Sequence, residues 1–308
     1  MSERALAAAG LAALAAFPFA AAAAGFDFYV SFATRVLVYA LAASSLNLLL
    51  GYGGMVSFGH AAFFGAGAYT VGILAAEGVT SLWVAWPLAV AVAALLALGI
   101  GAVSLRTRGV YFIMITLAFA QMLYYVLVSL KRYGAEDGLN VPRSRVGAGI
   151  GLDDDTVLYY ATAAIVVAAL YALGRLANAR FGRAVVAIRE NETRMEAIGF
   201  PTFRLKLACF VIAGALAGLA GALAANQAKF VSPALLDWVL SGQLMIMVIL
   251  GGVGRLYGGA IGAAVLLVLE EVLSAYTIHW QLAVGLVLLA IVLYAPQGLA
   301  GLFARRAA

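Results

Sequence analysis

Apolar residues fill this chain in continuous runs of about twenty, and polar residues collect in the gaps between them. Such runs match the roughly 17–25 residues a helix needs to cross a bilayer. Ten are predicted as spans: Leu6–Ala24, Phe28–Leu50, Ser57–Leu74, Trp83–Val103, Val110–Leu130, Val157–Leu173, Leu207–Gln227, Leu240–Leu250, Gly259–Leu273 and Gln281–Tyr294. The third is glycine-rich and the eighth is short, which marks both as candidates for broken or re-entrant helices. The runs do not alternate in the two-residue period of a barrel strand, and a backbone in lipid must pair its polar groups within the span. The expected fold class is therefore all-α, a polytopic integral membrane protein of about ten transmembrane helices. A single transmembrane domain spans residues 1–308 in this reading.

Composition supports this pattern. Of 308 residues, 65% are hydrophobic and 11% charged, whereas a soluble domain is about half apolar and a quarter charged. The largest gap, Gly174–Lys206, carries Arg175, Arg180, Arg183, Arg189, Arg194, Arg204 and Lys206 against Glu190, Glu192 and Glu196. Basic loops stay in the cytoplasm. Alternating the spans from a cytoplasmic amino terminus puts 13 of the 19 lysines and arginines inside, and both termini are predicted cytoplasmic. The net charge of +5 thus reads as membrane orientation, and no nucleic acid is expected as a partner. Leu6–Ala24 fits either a retained helix or a cleavable signal peptide, and both leave the later topology unchanged.

Catalytic signatures are missing. The lone Cys209 makes no intrachain disulfide, and no His/Cys set has metal-ligand spacing. None of Lys131, Lys206 and Lys229 follows glycine, so the phosphate cradle of an ATPase is absent and any ATP is hydrolysed by a partner. No cofactor or metal is expected, and an enzyme has no nucleophile–base pair to work with. His60 and His279 are placed near opposite membrane faces. Two glycine-rich stretches, Gly53–Gly59 and Gly251–Gly259, each precede a small-residue helix. They read as echoes of an internal repeat whose broken helices line a path, or as sites of close helix packing. In the long loop, Phe181, Val185, Ile188, Met195 and Ile198 recur near helical spacing, so Phe181–Ile198 is expected as a short amphipathic helix or helix pair. The glutamates among its arginines favour protein docking over a lipid surface.

The run Ser45–Gly54 leading into Ser57-Phe58-Gly59-His60-Ala61-Ala62-Phe63-Phe64-Gly65, with Gly67-Ala68-Tyr69, resembles the permeases of branched-chain amino-acid ABC importers, M-type. Arg108-Gly109-Val110-Tyr111-Phe112, Thr116–Gln121, Gly182-Arg183-Ala184, Ala187–Glu192, Glu196–Gly199, Gly251–Gly254 and Pro296-Gln297-Gly298-Leu299 fit the same family. The resemblance covers nearly the whole chain. It implies an ABC importer permease fold in a bacterial inner membrane and alternating-access transport of leucine, isoleucine and valine. It also implies two cytoplasmic ABC ATPase subunits, a second homologous permease subunit and a periplasmic amino-acid-binding protein. The segment 174–206 becomes a coupling loop, with Arg183, Arg189, Glu190, Glu192, Glu196 and Gly199 as candidates to meet the ATPase. The wider importer pattern is Glu-Ala-Ala with a more distant glycine, whereas here Gly199 follows Glu196-Ala197 after one residue. Candidates for the translocation path are Asn47, Gly53, Gly54, Ser57, Gly59, His60, Gln121, Gly251, Gly252 and Gly254. Intramembrane polar residues are costly and invite a functional role, and Gln243, Glu270 and Glu271 join the list on that ground. For Asn47 and Gln121 an interhelical hydrogen bond is the more ordinary role. A same-fold permease for urea or another small polar solute, and an autonomous secondary transporter or channel, are the competing readings.

Overall fold

Segments that bury apolar side chains in lipid keep their backbone bonds to themselves, and the long apolar runs are accordingly helices. The structure is a computed structural model describing residues 14–19, 28–145, 152, 154–276, 278–294 and 298–301. The apolar helices are α1 (Phe28–Asn47), α2 (His60–Ala76), α3 (Leu82–Ser104), α4 (Val110–Ser129) and α5 (Asp155–Asn178). Two short helices follow, α6 (Arg180–Glu190) and α7 (Glu192–Ala197). Then come α8 (Thr202–Ala228), α9 (Trp238–Gly251), α10 (Gly258–Tyr276) and α11 (Trp280–Tyr294). Six of these, with α1 counted through Tyr52, are long and apolar enough to cross a membrane, and α2, α9 and α11 are shorter. The span Leu6–Ala24 lies mostly outside the described residues. Its residues 14–19 are helical, and the carbonyls of Leu14 and Ala15 accept hydrogen bonds from Tyr159 and Tyr160 of α5.

Two short helices are each preceded by a break in the chain. α1 does not stop cleanly at Leu50. It widens into a π turn over Leu48–Tyr52, with Gly53 N–H donating to Leu48 O at 3.1 Å. Gly54 then takes φ +65°, a left-handed backbone that suits glycine, and residues 55–59 follow as an irregular, non-helical run. His60 opens α2 beside Ser45, which lies about 10 Å up α1 from Tyr52 at 1.5 Å per residue. The expected helix start at Ser57 is corrected, since Ser57 belongs to the irregular run, and His60 is packed among the helices with none of its surface exposed. The second break precedes α9, where Ser232 is extended and Pro233–Leu236 form a 3₁₀ turn. The two broken helices meet start to start, Ala61 N–H donating to Ser241 Oγ at 2.9 Å.

Chain direction reveals an inverted repeat. α1 ends and α8 begins at the same end of the bundle, since Cys209 Sγ lies 3.7 Å from Leu48 O, while Ser31 and Gln227 meet at the other end. From their central meeting point α2 and α9 run to opposite ends. α3 and α10 run oppositely too, as do α4 and α11. Helices α1–α4 thus correspond to α8–α11 in reverse orientation, with α5–α7 connecting the halves. This corrects the expected echo between Gly53–Gly59 and Gly251–Gly259. The second stretch joins α9 to α10, so its counterpart is the α2–α3 loop. The second stretch instead faces the end of α1: a Cβ on Gly51 would sit 2.3 Å from Gly254 N.

Small residues let the helices close up, as lipid-embedded interfaces require. α8 is wedged between α2 and α3. A Cβ on Gly67 would lie 2.0 Å from Gly218 O, and one on Gly218 would lie 2.2 Å from Ala93 Cβ. At the end opposite α6 and α7, residues Leu139–Asn140 pair antiparallel with Phe230–Val231. Arg143 is buried there, bonded to the carbonyls of Leu152 and Asn226 and paired with Asp155.

Candidate functional site

The polar segment 174–206 forms an arm whose apolar face is Gly182, Val185 and Ile188 of α6 and Met195 of α7, all buried. Asn191 separates the two helices and caps the second, its Oδ1 accepting from Arg194 N–H at 2.8 Å. Gly199 follows at φ +86°, where a left-handed residue ends a helix cheaply. The expected helix pair is present, with one change of face: Ile198, expected to share the buried stripe, is 63% exposed. Phe200 and Phe203 are exposed beside it, an apolar tip that charge counting overlooked.

The six arm candidates divide by what they touch. Arg183 and Glu190 are exposed. Glu196 accepts from Thr202 Oγ1 at 3.0 Å and so links α7 to the start of α8. Glu192 is paired with Lys206 of α8 and lies 3.5 Å from Arg108 in the α3–α4 loop. Arg189 reaches away from the arm altogether. Its guanidinium donates to Gly51 O, and its stem lies where a Gly54 side chain would be, a Cβ there meeting Arg189 Cγ at 2.5 Å. Arg189 and Glu192, read from sequence as outward docking residues, thus join the arm to the membrane helices. Lys206 and Arg108 complete that junction and were missed, because nothing local in the sequence announces their partner.

A cleft of about 300 Å³ opens at this junction. Residues 53–56 form one wall, Phe112 and Ile113 of α4 another, and Ile188, Arg189, Glu192 and Lys206 the side nearest the arm. Three cations against one carboxylate make its mouth positive.

Deeper in, the remaining path candidates separate into clamps and breaks. Asn47 is 2% exposed, and its Nδ2 donates to Arg255 O at 2.7 Å while its Oδ1 accepts from Gly254 N–H at 2.9 Å. Both ends of its amide are therefore engaged with the α9–α10 turn, the interhelical role anticipated for it. Gly251 and Gly252 end α9 against α10 and residue 298. Asn47→Ala removes two hydrogen bonds and orphans a part-buried donor and acceptor, so a loss of about 1–3 kcal/mol is expected. A clear drop in the melting temperature of the detergent-solubilised protein is the check, and an unchanged melt refutes the clamp. Ser57 Oγ accepts from Gly59 N–H at 3.2 Å, inside the first break. Gly59 backs onto α4, with Thr116 O 2.8 Å from its would-be Cβ. Ser45 gives its one proton to Ala42 O at 2.7 Å, which leaves His60 Nε2 as the donor to Ser45 Oγ at 2.8 Å. Gln121 donates from α4 to Asp237 at 3.2 Å, across the second break. Asp237 was missed because it fell between two predicted spans, although it is the one carboxylate between Glu196 and Glu270 in the sequence. Gln243 and Glu270 pair at 3.1 Å between α9 and α10.

Broken helices meeting inside a multi-span bundle, above a cleft contacted by a basic helical arm, define a membrane permease. A family described as branched-chain amino acid transport system / permease component matches residues 28–295, and the chain belongs to it. It is 30% identical over 294 residues to the high-affinity branched-chain amino acid transport system permease protein LivM of Salmonella typhimurium, covering 88% of this chain and 69% of that protein. The Escherichia coli LivM protein is 29% identical over the same coverage. A probable branched-chain amino acid transport permease protein LivM from Methanocaldococcus jannaschii is 29% identical over 142 residues, 41% of each chain. No significant match exists among solved structures.

Proposed function

We propose that this chain is the permease subunit of an ATP-driven importer of leucine, isoleucine and valine in a bacterial inner membrane. Its partners are two cytoplasmic ABC ATPase subunits, a second homologous permease and a periplasmic amino-acid-binding protein. The end carrying α6 and α7 faces the cytoplasm, as its basic loops require, and the domain 1–308 carries the segment 174–206 as its coupling loop. Supporting this reading is one observation above all: Arg189 on the arm bonds the backbone of Gly51 at the start of the first helix break. Movement of the arm is thereby delivered to the segment between the cleft and the helix starts.

In the resulting mechanism the loaded binding protein docks at the outer end, and ATP draws the ATPases together. The ATPase grips the exposed surface of the arm, Arg183, Glu190 and the apolar tip Ile198–Phe203. Arg189, with the Glu192–Lys206 pair, transmits the displacement to residues 51–59, and the path alternates between outward and inward access. Reconstitution of the complex with all partners in proteoliposomes tests the reading. Uptake of labelled leucine, isoleucine or valine requiring both ATP and the ATPases is expected. Flux that persists without the ATPases, or ATP-dependent uptake of urea in place of all three amino acids, overturns it.

A further inference from the structure

A carboxylate at mid-depth in a membrane bundle needs a partner, because an ionised side chain facing hydrocarbon is costly. Asp237 is such a group. Its contact residue Gln121 is the twelfth of the twenty residues of α4, about 16 Å from that helix's start. Its neighbour Leu236 packs on Gly65, in the second turn of α2. Asp237 stands at the N-cap of α9, where an aspartate ordinarily accepts a backbone N–H of the first turn. Here the side chain makes no such bond. It turns to Gln121, a neutral donor that satisfies one of several acceptor positions. No lysine or arginine among the described residues pairs with it.

One helix, α4, reaches from the cleft to this carboxylate. Ile113 lines the cleft, Thr116 backs the break at Gly59, and Gln121 holds Asp237. Ile113 and Thr116 are one turn apart on one side of α4, and Gln121 lies more than a turn further on, on another side of the helix. An apolar surface adjoins the carboxylate: Trp238 and Gly242 share a helix face at i, i+4, and Phe58 of the first break lies 3.9 Å from where a Gly242 side chain would begin.

We propose that Asp237, positioned by Gln121, receives the α-ammonium group of the transported amino acid midway through the membrane. The substrate's apolar side chain then lies toward Phe58 and Trp238. The carboxylate supplies the negative charge that a cationic head group needs once it has left water, and Gln121 fixes its orientation while leaving acceptor positions free. This inference rests on the reading of the chain as an amino-acid permease.

The test compares Asp237→Asn and Asp237→Glu in the reconstituted complex, with labelled leucine as probe. Asparagine keeps an oxygen for Gln121 and removes only the charge. D237N is expected to assemble with its partners and to lower leucine uptake by about tenfold or more, the effect of losing a charge-assisted hydrogen bond. D237E is expected to restore a large part of the uptake. In the unmutated complex, a hydrophobic carbodiimide should label Asp237, and leucine trapped during turnover should protect it. Wild-type uptake by D237N overturns the proposal. So does equal loss in D237N and D237E with no protection of Asp237 by leucine, which would make the residue a scaffold. Absence of leucine uptake by the wild-type complex itself defeats the underlying reading, and this inference falls with it.

Discussion

Gly221→Leu is expected to leave almost no monodisperse protein after mild-detergent extraction. Helix α8 lies against α2 so closely that a Cβ at Gly221 would sit 1.8 Å from Phe64 O and 3.0 Å from Ala68 N. Both atoms are backbone, so no change of rotamer relieves the contact, and one of the two helices must move. α8 cannot back away freely, because Gly218, one turn earlier, is pressed against Ala93 of α3. Overpacking ordinarily costs about 1–3 kcal/mol where side chains can adjust, and a backbone collision of this depth exceeds that range. Against a total stability of roughly 5–15 kcal/mol, it is enough to unfold the bundle or displace α2 and its break. Gly99→Leu is the matched control. That glycine is exposed on α3, with no other atom within 4 Å of its would-be Cβ, so it should behave as wild type in size-exclusion chromatography. Normal yield and melting of Gly221→Leu would show that the α2–α8 contact is looser than described.

Arg189→Ala carries the second large effect, on coupling. The substitution leaves the buried face of α6 intact, since Val185 and Ile188 do that packing, so folding and subunit assembly should survive. It cuts the bond from the arm to Gly51 and removes the side-chain stem covering Gly54. A hydrogen bond to a charged group contributes about 1.5–3 kcal/mol, which corresponds to a fall of about tenfold or more in the rate of productive cycles. ATP hydrolysis without matching uptake is the expected signature. Arg189→Lys should recover only part of the loss, because a point charge on a flexible stem does not reproduce the guanidinium fork. Undiminished leucine uptake per ATP in Arg189→Ala would remove Arg189 from the coupling route.

The two predictions differ in how far the sequence announced them. Glycine at 218 and 221 in an apolar run is a legible signal of close packing, but it does not say which helix comes near. Arg189 was legible as part of a cytoplasmic arm and read as pointing toward a partner. Its guanidinium instead bonds Gly51 O while the residue stays exposed, because α6 buries Ile188 and so brings its last turn against the end of α1. The helix pair, the break before α2 and the interhelical role of Asn47 followed from local pattern and cost. The repeat was sensed in two glycine stretches and assigned to the wrong pair, since composition reports that a backbone approaches closely and not the direction in which the chain runs.

What the sequence determined by itself is everything lipid imposes locally. A span must be long, apolar and internally bonded, so the membrane class and the approximate positions of the described helices can be read one segment at a time, and the family from its motifs taken together. What only the tertiary structure decided is which polar groups meet. Asn47 finds Gly254 across 207 residues, Arg189 finds Gly51 across 138, and Gln121 finds Asp237 across 116. Such pairs exist because the helices fold against each other with two of them cut short, which brings polar atoms distant in the chain into contact, from the arm end of the bundle to its middle. No local pattern of hydrophobic and polar positions encodes that convergence.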